Sequence, residues 1–341
     1  LRGVPNPADD DRPEDWVGSA TPLGWPGRDP ADGVSTVVVG GRRVLLADLL
    51  KRYPHEMLGP EHVAAFGPTP ALLVKLLDAA VRLPVHSHPT TPFARAHLGA
   101  SNGKTEAWVV VDTRSDTGAA PYVLLGFSRA MSRVELLDCI ERQDAAQMMG
   151  AMHRLHVRAG DVIFVPAGLP HAIGPGVFIV ELQEPSSLSV LMEHAEFGVG
   201  APAAHLGLGW ERIIDDVDRC ALPRADLVAR FTGHVAADVR GMTDLFGPAA
   251  APYFRASWVR LDPGASAALA AGFAVMIVLE GACEIRRTDA PDDGSRVARG
   301  DQVLLPFCLG DVIVTAGEGG MDALCCRPPA AAGPASAATR A

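Results

Sequence analysis

Lysine is nearly missing from this chain. Of 30 basic residues only three are lysine, Lys51, Lys75 and Lys104. Arginine serves almost everywhere else, so each lysine asks for a reason. Positive charge as a whole is also short: 40 acidic residues leave a net charge of −10, which gives a nucleic-acid role no electrostatic support. No run of about 18 apolar residues is present, so no helical membrane span is expected. The charged-apolar-small pattern of a leader is absent as well, and the expectation is a cytoplasmic protein. Six cysteines occur, Cys139, Cys220, Cys283, Cys308, Cys325 and Cys326, without a CxxC pair. They read as reduced, mostly buried thiols and not as a zinc or disulfide framework.

What is present fits a globular protein. Apolar residues make up 48% and charged residues 21%, outside the disordered range, and 341 residues suffice for two domains. Residues 1–33 are rich in Pro, Gly and Asp and read as an irregular lead-in. Strands are expected at 34–46 around Gly40-Gly41, and at 71–77, 85–89, 106–112 and 122–127. A short helix is expected over 47–58. Ser132 followed by Glu135 forms a capping-box pattern ahead of Leu136 and Leu137, and Asp144 is placed to cap a second short helix. The methionines that follow, Met148, Met149 and Met152, read as core filler. The phrase VRAGDVIFVPAGLPHAI, 157–173, has a weak echo in VARGDQVLLPFCLGDVIV, 297–314. Asp161 and Pro166 match Asp301 and Pro306 at one constant shift, which suggests two similar β-domains. Residues 203–232 between them read as helical, and the Ala/Pro-rich stretch after about Arg327 as a disordered tail.

Four residues stand out chemically. His86 and His88 are two apart, so on a strand both side chains leave the same face. Glu106 opens the apolar run AWVVV, where a carboxylate should not be buried without a partner. His171 follows the turn PAGLP and precedes another apolar run. Three imidazoles and one carboxylate suit one divalent metal: zinc, iron, manganese or nickel. Lys104 lies two before Glu106 and shares its face. Lys75 interrupts LLVKLLDA, either as an edge-strand lysine reaching water or as a fixed charge for an anionic substrate. His55, His62, His97, His153, His156, His194, His205 and His234 are not placed for ligation.

These stretches resemble the type I mannose-6-phosphate isomerases. That family's site follows Gln-x-His-Pro, Lys-Thr-Glu and Pro-Ala-Gly-x-x-His. The matching stretches here are LPVHSHP at 83–89, NGKTEAW at 102–108 and VPAGLPHAI at 165–173, with LLVKLLDA and, weakly, DWVGSA at 15–20 ahead of them. The resemblance implies a mainly β chain of two cupin (jelly-roll) barrels with a small helical insertion. The expected layout is a metal-binding domain at 34–200 with its insertion at about 132–153, then a second, metal-free domain at 201–327. It implies one metal ion, zinc in the family, held by His88, Glu106 and His171, with His86 where the family has glutamine. It implies a sugar-phosphate substrate met by Lys75 and Lys104, catalysis around Lys104 and Glu106, and interconversion of mannose 6-phosphate and fructose 6-phosphate. The general base is left open between Lys104, Glu106 and a metal-bound water. No protein partner is implied. Two positions depart from the family: Pro84 where a small hydroxyl residue is usual, and Leu191 near the place of a family arginine. These departures keep two other readings in play, a different metal-dependent cupin enzyme (another sugar isomerase or a dioxygenase) and a non-catalytic sugar-phosphate-binding protein. In the second domain Asp311 stands at the position of His171.

Overall fold

Apolar runs such as VFIV at 177–180 and AVMIVL at 274–279 have the β-branched content of buried strands, and they lie in central strands here. The computed structural model describes residues 14–23, 29, 31–115, 118, 120–290 and 293–331. Most of the expected lead-in and most of the expected tail lie outside the described residues. Of the lead-in, Glu14–Val17 is a regular strand and not an irregular segment.

The first barrel is built from two antiparallel sheets. One has six strands in the order Glu14–Val17, Leu73–Ala79, Val177–Gln183, Glu106–Thr113, Asp161–Val165, Thr232–His234. The other has five, in the order Val190–Leu191, His86–Ser87, His171–Ile173, Tyr122–Phe127, Met152–His156. A core of Leu77, Trp108, Val110, Ile163 and Ile179 from the first sheet meets Val123, Leu125, Leu155 and Ile173 from the second. The two sheets therefore face each other across one apolar interior.

The insertion forms as its caps require. Ser132 accepts from the Glu135 amide at 3.1 Å and starts Arg133–Glu141; Asp144 accepts from the Gln147 amide at 3.0 Å and starts Ala145–Gly150. The Glu135 carboxylate reaches back to the Ser132 backbone amide, as a capping box does, and also takes Arg129 at 2.7 Å. Met148 and Met152 are buried in an apolar cluster with Leu136 and Ile140, as filler should be. The stretch 203–232 is less helical than expected. It holds Trp210–Ile213, continued by a 3-10 turn at Ile214–Asp216, and Arg224–Phe231, with the end of Ala201–Ala204 at its start.

The second barrel is dominated by two long strands, Ala274–Arg287 and Val312–Arg327, paired with register shifts that bend them. Gly241–Asp244, Arg255–Leu261, Ser266–Leu269, Gly294–Ala298 and Gln302–Leu305 complete its sheet. The compact units do not divide at 200/201. Residues 75–234 form one, with 14–15; residues 16–74 group with those from 235 onward. A physical reason is visible at Gly59, whose φ of +87° and missing side chain let the Phe307 ring lie on the backbone. A Cβ there would sit 2.7 Å from Phe307 Cδ2.

Candidate metal centre

Four inward rows of the first barrel change character toward one end. Leu77 and Ala79 face the core, and the next residue of the same parity is Lys75. Val177 and Ile179 give way to Glu181 and Gln183, Trp108 and Val110 to Glu106 and Lys104, and Ile173 to His171. The pleat thus carries each apolar row straight into an ionisable one.

Three imidazoles meet there. His86 and His171 are direct cross-strand partners, with ring centroids 4.1 Å apart. His88, just past the short strand His86–Ser87, brings its ring to 5.0 and 4.9 Å from theirs. Ligand-capable atoms of the three all lie within 4.8 Å of one another. Each Nδ1 is committed to a backbone carbonyl: His86 to Pro84 at 2.8 Å, His88 to Leu188 at 3.0 Å, His171 to Leu169 at 2.8 Å. A carbonyl only accepts, so each Nδ1 carries the proton and each Nε2 keeps a lone pair.

Glu106 comes from the facing sheet. Its Oε2 lies 3.0 Å from His88 Nε2 and its Oε1 3.3 Å from His171 Nε2. The His88 contact is not an ion pair, because burial first, and Lys104 second, push His88 down to about 3. Burial, together with the other two imidazoles, also takes His86 well below its ordinary value. The Lys104 ammonium answers His88 Nε2. Glu106 Oε2 and His171 Nε2 are buried without a hydrogen-bond partner, a costly arrangement that a bound cation would relieve. The donor set, three imidazoles with fixed outer hydrogen bonds and one carboxylate, fits a divalent transition metal.

Glu106 is well set for that role. Burial would raise its carboxyl, but Lys104, His88 and His171 outweigh burial and hold it well below the usual range. Trp108 Nε1 donates to Oε1 at 3.0 Å and fixes its rotamer. Lys104 Nζ lies 3.2 Å from Glu106 Oε2 and 3.0 Å from His88 Nε2. Its neighbour Gly103 has no room for a side chain, since a Cβ would meet Pro89 O at 2.4 Å. That glycine lets the NGKT segment ahead of the strand run close against the His88-Pro89 segment.

Lys75 is not an edge lysine reaching solvent. It is buried on an interior strand, 3.1 Å from Glu14 and 3.5 Å from Glu181. Burial works against its charge, yet Glu181, Glu14 and Glu106 together raise its pKa above the ordinary lysine value. Glu14, Lys75, Glu181, Lys104 and Glu106 thus form a row of alternating sign. Glu181 is the odd member: burial and the Glu106 charge push it up to about 7.

Sequence reasoning missed Glu14, Glu181, Gln183 and the pair Arg82–Glu193. The signal for Glu181 and Gln183 was the one used for Glu106, polar residues of one parity inside an apolar strand. Glu193, almost fully buried, takes two bonds from Arg82, at 2.5 and 2.6 Å, and one from the Val85 amide at 2.9 Å. It thereby fixes the backbone leading into His86. Leu191, where the arginine was looked for, is the cross-strand partner of His86. No described helix is long and apolar enough to cross a membrane.

No profile of a known protein family matches the chain. Single proteins do. Mannose-6-phosphate isomerase ManA of Bacillus subtilis is 32% identical over 150 residues, 43% of this chain and 45% of that protein. The mannose-6-phosphate isomerase of Streptococcus mutans is 36% identical over the same length, again 45% of that protein. The matched segment thus spans less than half the length of these curated relatives. Among solved structures, a variant of phosphomannose isomerase from Salmonella typhimurium superposes with TM-score 0.69 at 16% identity, over 97% of this chain and 94% of that one. The mannose 6-phosphate isomerase of Bacillus subtilis gives 0.63 at 20% identity, over 85% and 83%. A zinc-bound mannose 6-phosphate isomerase gives 0.62 at 15% identity, over 86% and 88%. The chain has the two-barrel cupin fold of these phosphomannose isomerases.

Proposed function

We propose that this protein is a metal-dependent aldose-ketose isomerase that interconverts mannose 6-phosphate and fructose 6-phosphate. His86, His88, Glu106 and His171 hold one divalent metal in this reading, zinc by analogy with the zinc-bound relative. The observation that carries it is the meeting of three imidazoles whose Nδ1 atoms are all bonded outward, two of them with Nε2 against the Glu106 carboxylate. The curated relatives supply the substrate. Acting in the cytoplasm, the enzyme needs neither a protein partner nor nucleic acid.

The chemistry a divalent cation supplies at such a centre is Lewis-acid polarisation of the sugar carbonyl. The protein's own groups do the rest. Glu106 and Lys104 touch the reacting end of the sugar, Lys104 offsetting negative charge as it develops on oxygen. A proton must move between the two carbons of the enediol. Glu106 is held ionised too firmly to exchange one readily near neutral pH. Glu181, at about 7, is better matched to that exchange. Lys75 joins the substrate side, although its charge is already met by Glu14 and Glu181.

The test is elemental analysis of the purified chain beside a coupled assay for fructose 6-phosphate formed from mannose 6-phosphate. One metal per chain with turnover supports the isomerase. A non-catalytic sugar-phosphate-binding protein is the second reading, favoured by Leu191 beside His86 where the family carries arginine. It predicts metal and tight binding of the sugar phosphate without turnover. Turnover that needs iron and dioxygen points instead to another metal-dependent cupin enzyme.

A further inference from the structure

Four buried acceptors at the ionisable end of the first barrel lack a hydrogen-bond partner: Glu106 Oε2, His171 Nε2, Glu181 Oε1 and Gln183 Oε1. The first two face the proposed metal. Glu181 Oε1 has Lys75 at 3.5 Å and Lys104 at 3.9 Å. Gln183 Oε1 has neither a metal nor a lysine to answer it. Gln183 is fully buried, and its amide cannot be turned around. Nε2 donates to Ser186 O at 2.6 Å and to Glu184 O at 3.2 Å, so a flip would set oxygen against two carbonyls.

Its placement is equally fixed. Gln183 pairs directly with Glu106 across the sheet, and partners in an antiparallel pair project from the same face. It continues the inward row of Val177 and Ile179. A neutral carbonyl-type acceptor beside a metal-binding carboxylate is therefore turned into the site, and the donor it lacks is a neutral one. Ammonium groups already have carboxylates here. A polyhydroxy chain held along this row carries such donors at regular intervals.

We propose that Gln183 Oε1 accepts a hydrogen bond from a substrate hydroxyl and is a specificity-determining residue of the site. This rests on the sugar-phosphate reading above and names the residue that reads the sugar, as distinct from its phosphate. A site built to hydrogen-bond a hydroxyl discriminates strongly when that bond is lost, because the buried partner is left unpaired.

The experiment titrates the zinc-loaded full chain with sorbitol 6-phosphate, an open-chain hexitol phosphate that cannot be isomerised, and separately with inorganic phosphate. Unaltered protein is compared with Gln183→Met, which keeps length without the amide, and with Gln183→Asn, which keeps the amide and withdraws it by one methylene. Zinc content is measured for each. Both variants should bind sorbitol 6-phosphate at least tenfold more weakly, with zinc and inorganic phosphate binding unchanged. Unchanged binding of the hexitol phosphate overturns the assignment, and so does an equal loss for both ligands. Loss of zinc also overturns it, because Gln183 would then be supporting Glu106. If Gln183→Met does not fold, Gln183→Asn carries the test. If the unaltered chain binds sorbitol 6-phosphate no better than inorganic phosphate, the sugar-phosphate reading itself fails, and this inference with it.

Discussion

The two barrels repeat one turn and one register, yet among the described residues only one of them gathers a cluster of candidate metal ligands. In the first, the Gly160 amide bonds Val110 O at 2.9 Å and Asp161 closes on the Arg158 amide; in the second, Gly300 bonds Val278 O at 2.9 Å and Asp301 closes on the Ala298 amide. Both glycines have φ of +92°, a conformation that suits glycine. The strands that follow pair identically: Glu106 opposes Val165 as Ala274 opposes Leu305, and Trp108 opposes Ile163 as Met276 opposes Val303. The equivalent of Glu106 is thus Ala274, inside an apolar cluster with Met276 and Val278. Asp311, at the place of His171, instead accepts the Ala271 amide at 2.8 Å. The backbone frame is shared, and the chemistry resides in a few inward positions at one end of one barrel.

The comparison breaks most sharply at the ligands. His88→Ala with His171→Ala removes two of four proposed donors and should abolish metal binding, read as metal per chain by elemental analysis. Retention of metal would place the ion elsewhere. Next in size is the reverse experiment. Ala274→Glu puts a carboxylate at Glu106's equivalent without imidazoles or lysine to meet it. An unpaired buried charge costs about 3 kcal/mol or more, so denaturant unfolding should show a large loss. A neutral outcome would mean that the second barrel's end is wet.

Acid should separate the barrels too. Unfolded histidine titrates near 6.5, and His88 in the fold at about 3. Between those values the unfolded chain binds more protons, so stability is lost as pH falls. Glu106, lowered from 4.5, acts in the same direction below that value. Glu181, raised to about 7, opposes them only between 4.5 and 7. Unfolding midpoints of the metal-free chain should therefore drop steeply from pH 4.5 to 3. In the second core Cys283 is pushed up to about 11 and stays neutral throughout. If His88→Phe leaves the acid slope unchanged, the imidazoles are not its source.

The candidate cluster was legible because polar residues inside apolar strands are rare and local. His86, His88, Glu106 and His171 each sit beside an apolar run, and the parity rule placed Lys104 with Glu106. The echo of 157–173 in 297–314 foretold the second barrel, since the Asp turn is a local motif. What stayed hidden depends on distant pairing. Nothing near Lys75 indicates that Glu14 and Glu181 meet it, because that requires strand order. Arg82 and Glu193 lie far apart in sequence, and their bond follows only from the strand Val190–Leu191 lying beside His86. The unit boundary was missed for the same reason: the segment before residue 75 joins the second barrel through contacts such as Gly59 with Phe307.

Lys104→Met tests the network at a smaller scale. Turnover or binding of a sugar phosphate should fall about tenfold, roughly 1.4 kcal/mol, and a neutral sugar should be affected less. Because Glu106 and Glu181 lose a counter-charge, the metal-free variant should also unfold more easily, a loss that zinc restores. Equal losses for both sugars would tie Lys104 to the sugar carbons and not to the phosphate.

The smallest effect sharpens the comparison where the barrels agree. Asp301→Ala removes the bond to the Ala298 amide, 2.8 Å long, and an exposed turn bond of this kind is worth about 1 kcal/mol. Asp161→Ala removes its counterpart at 2.9 Å and also a contact with His234 Nδ1 at 2.8 Å. That second contact ties the edge strand Thr232–His234 to Asp161–Val165. It is partly exposed, so it should add only a few tenths of a kcal/mol. Chemical denaturation of both variants should then show a slightly larger loss for Asp161→Ala. Equal losses would reduce Asp161 to its turn. A loss for Asp161→Ala larger by more than about 1 kcal/mol would show that the edge strand depends on that side chain.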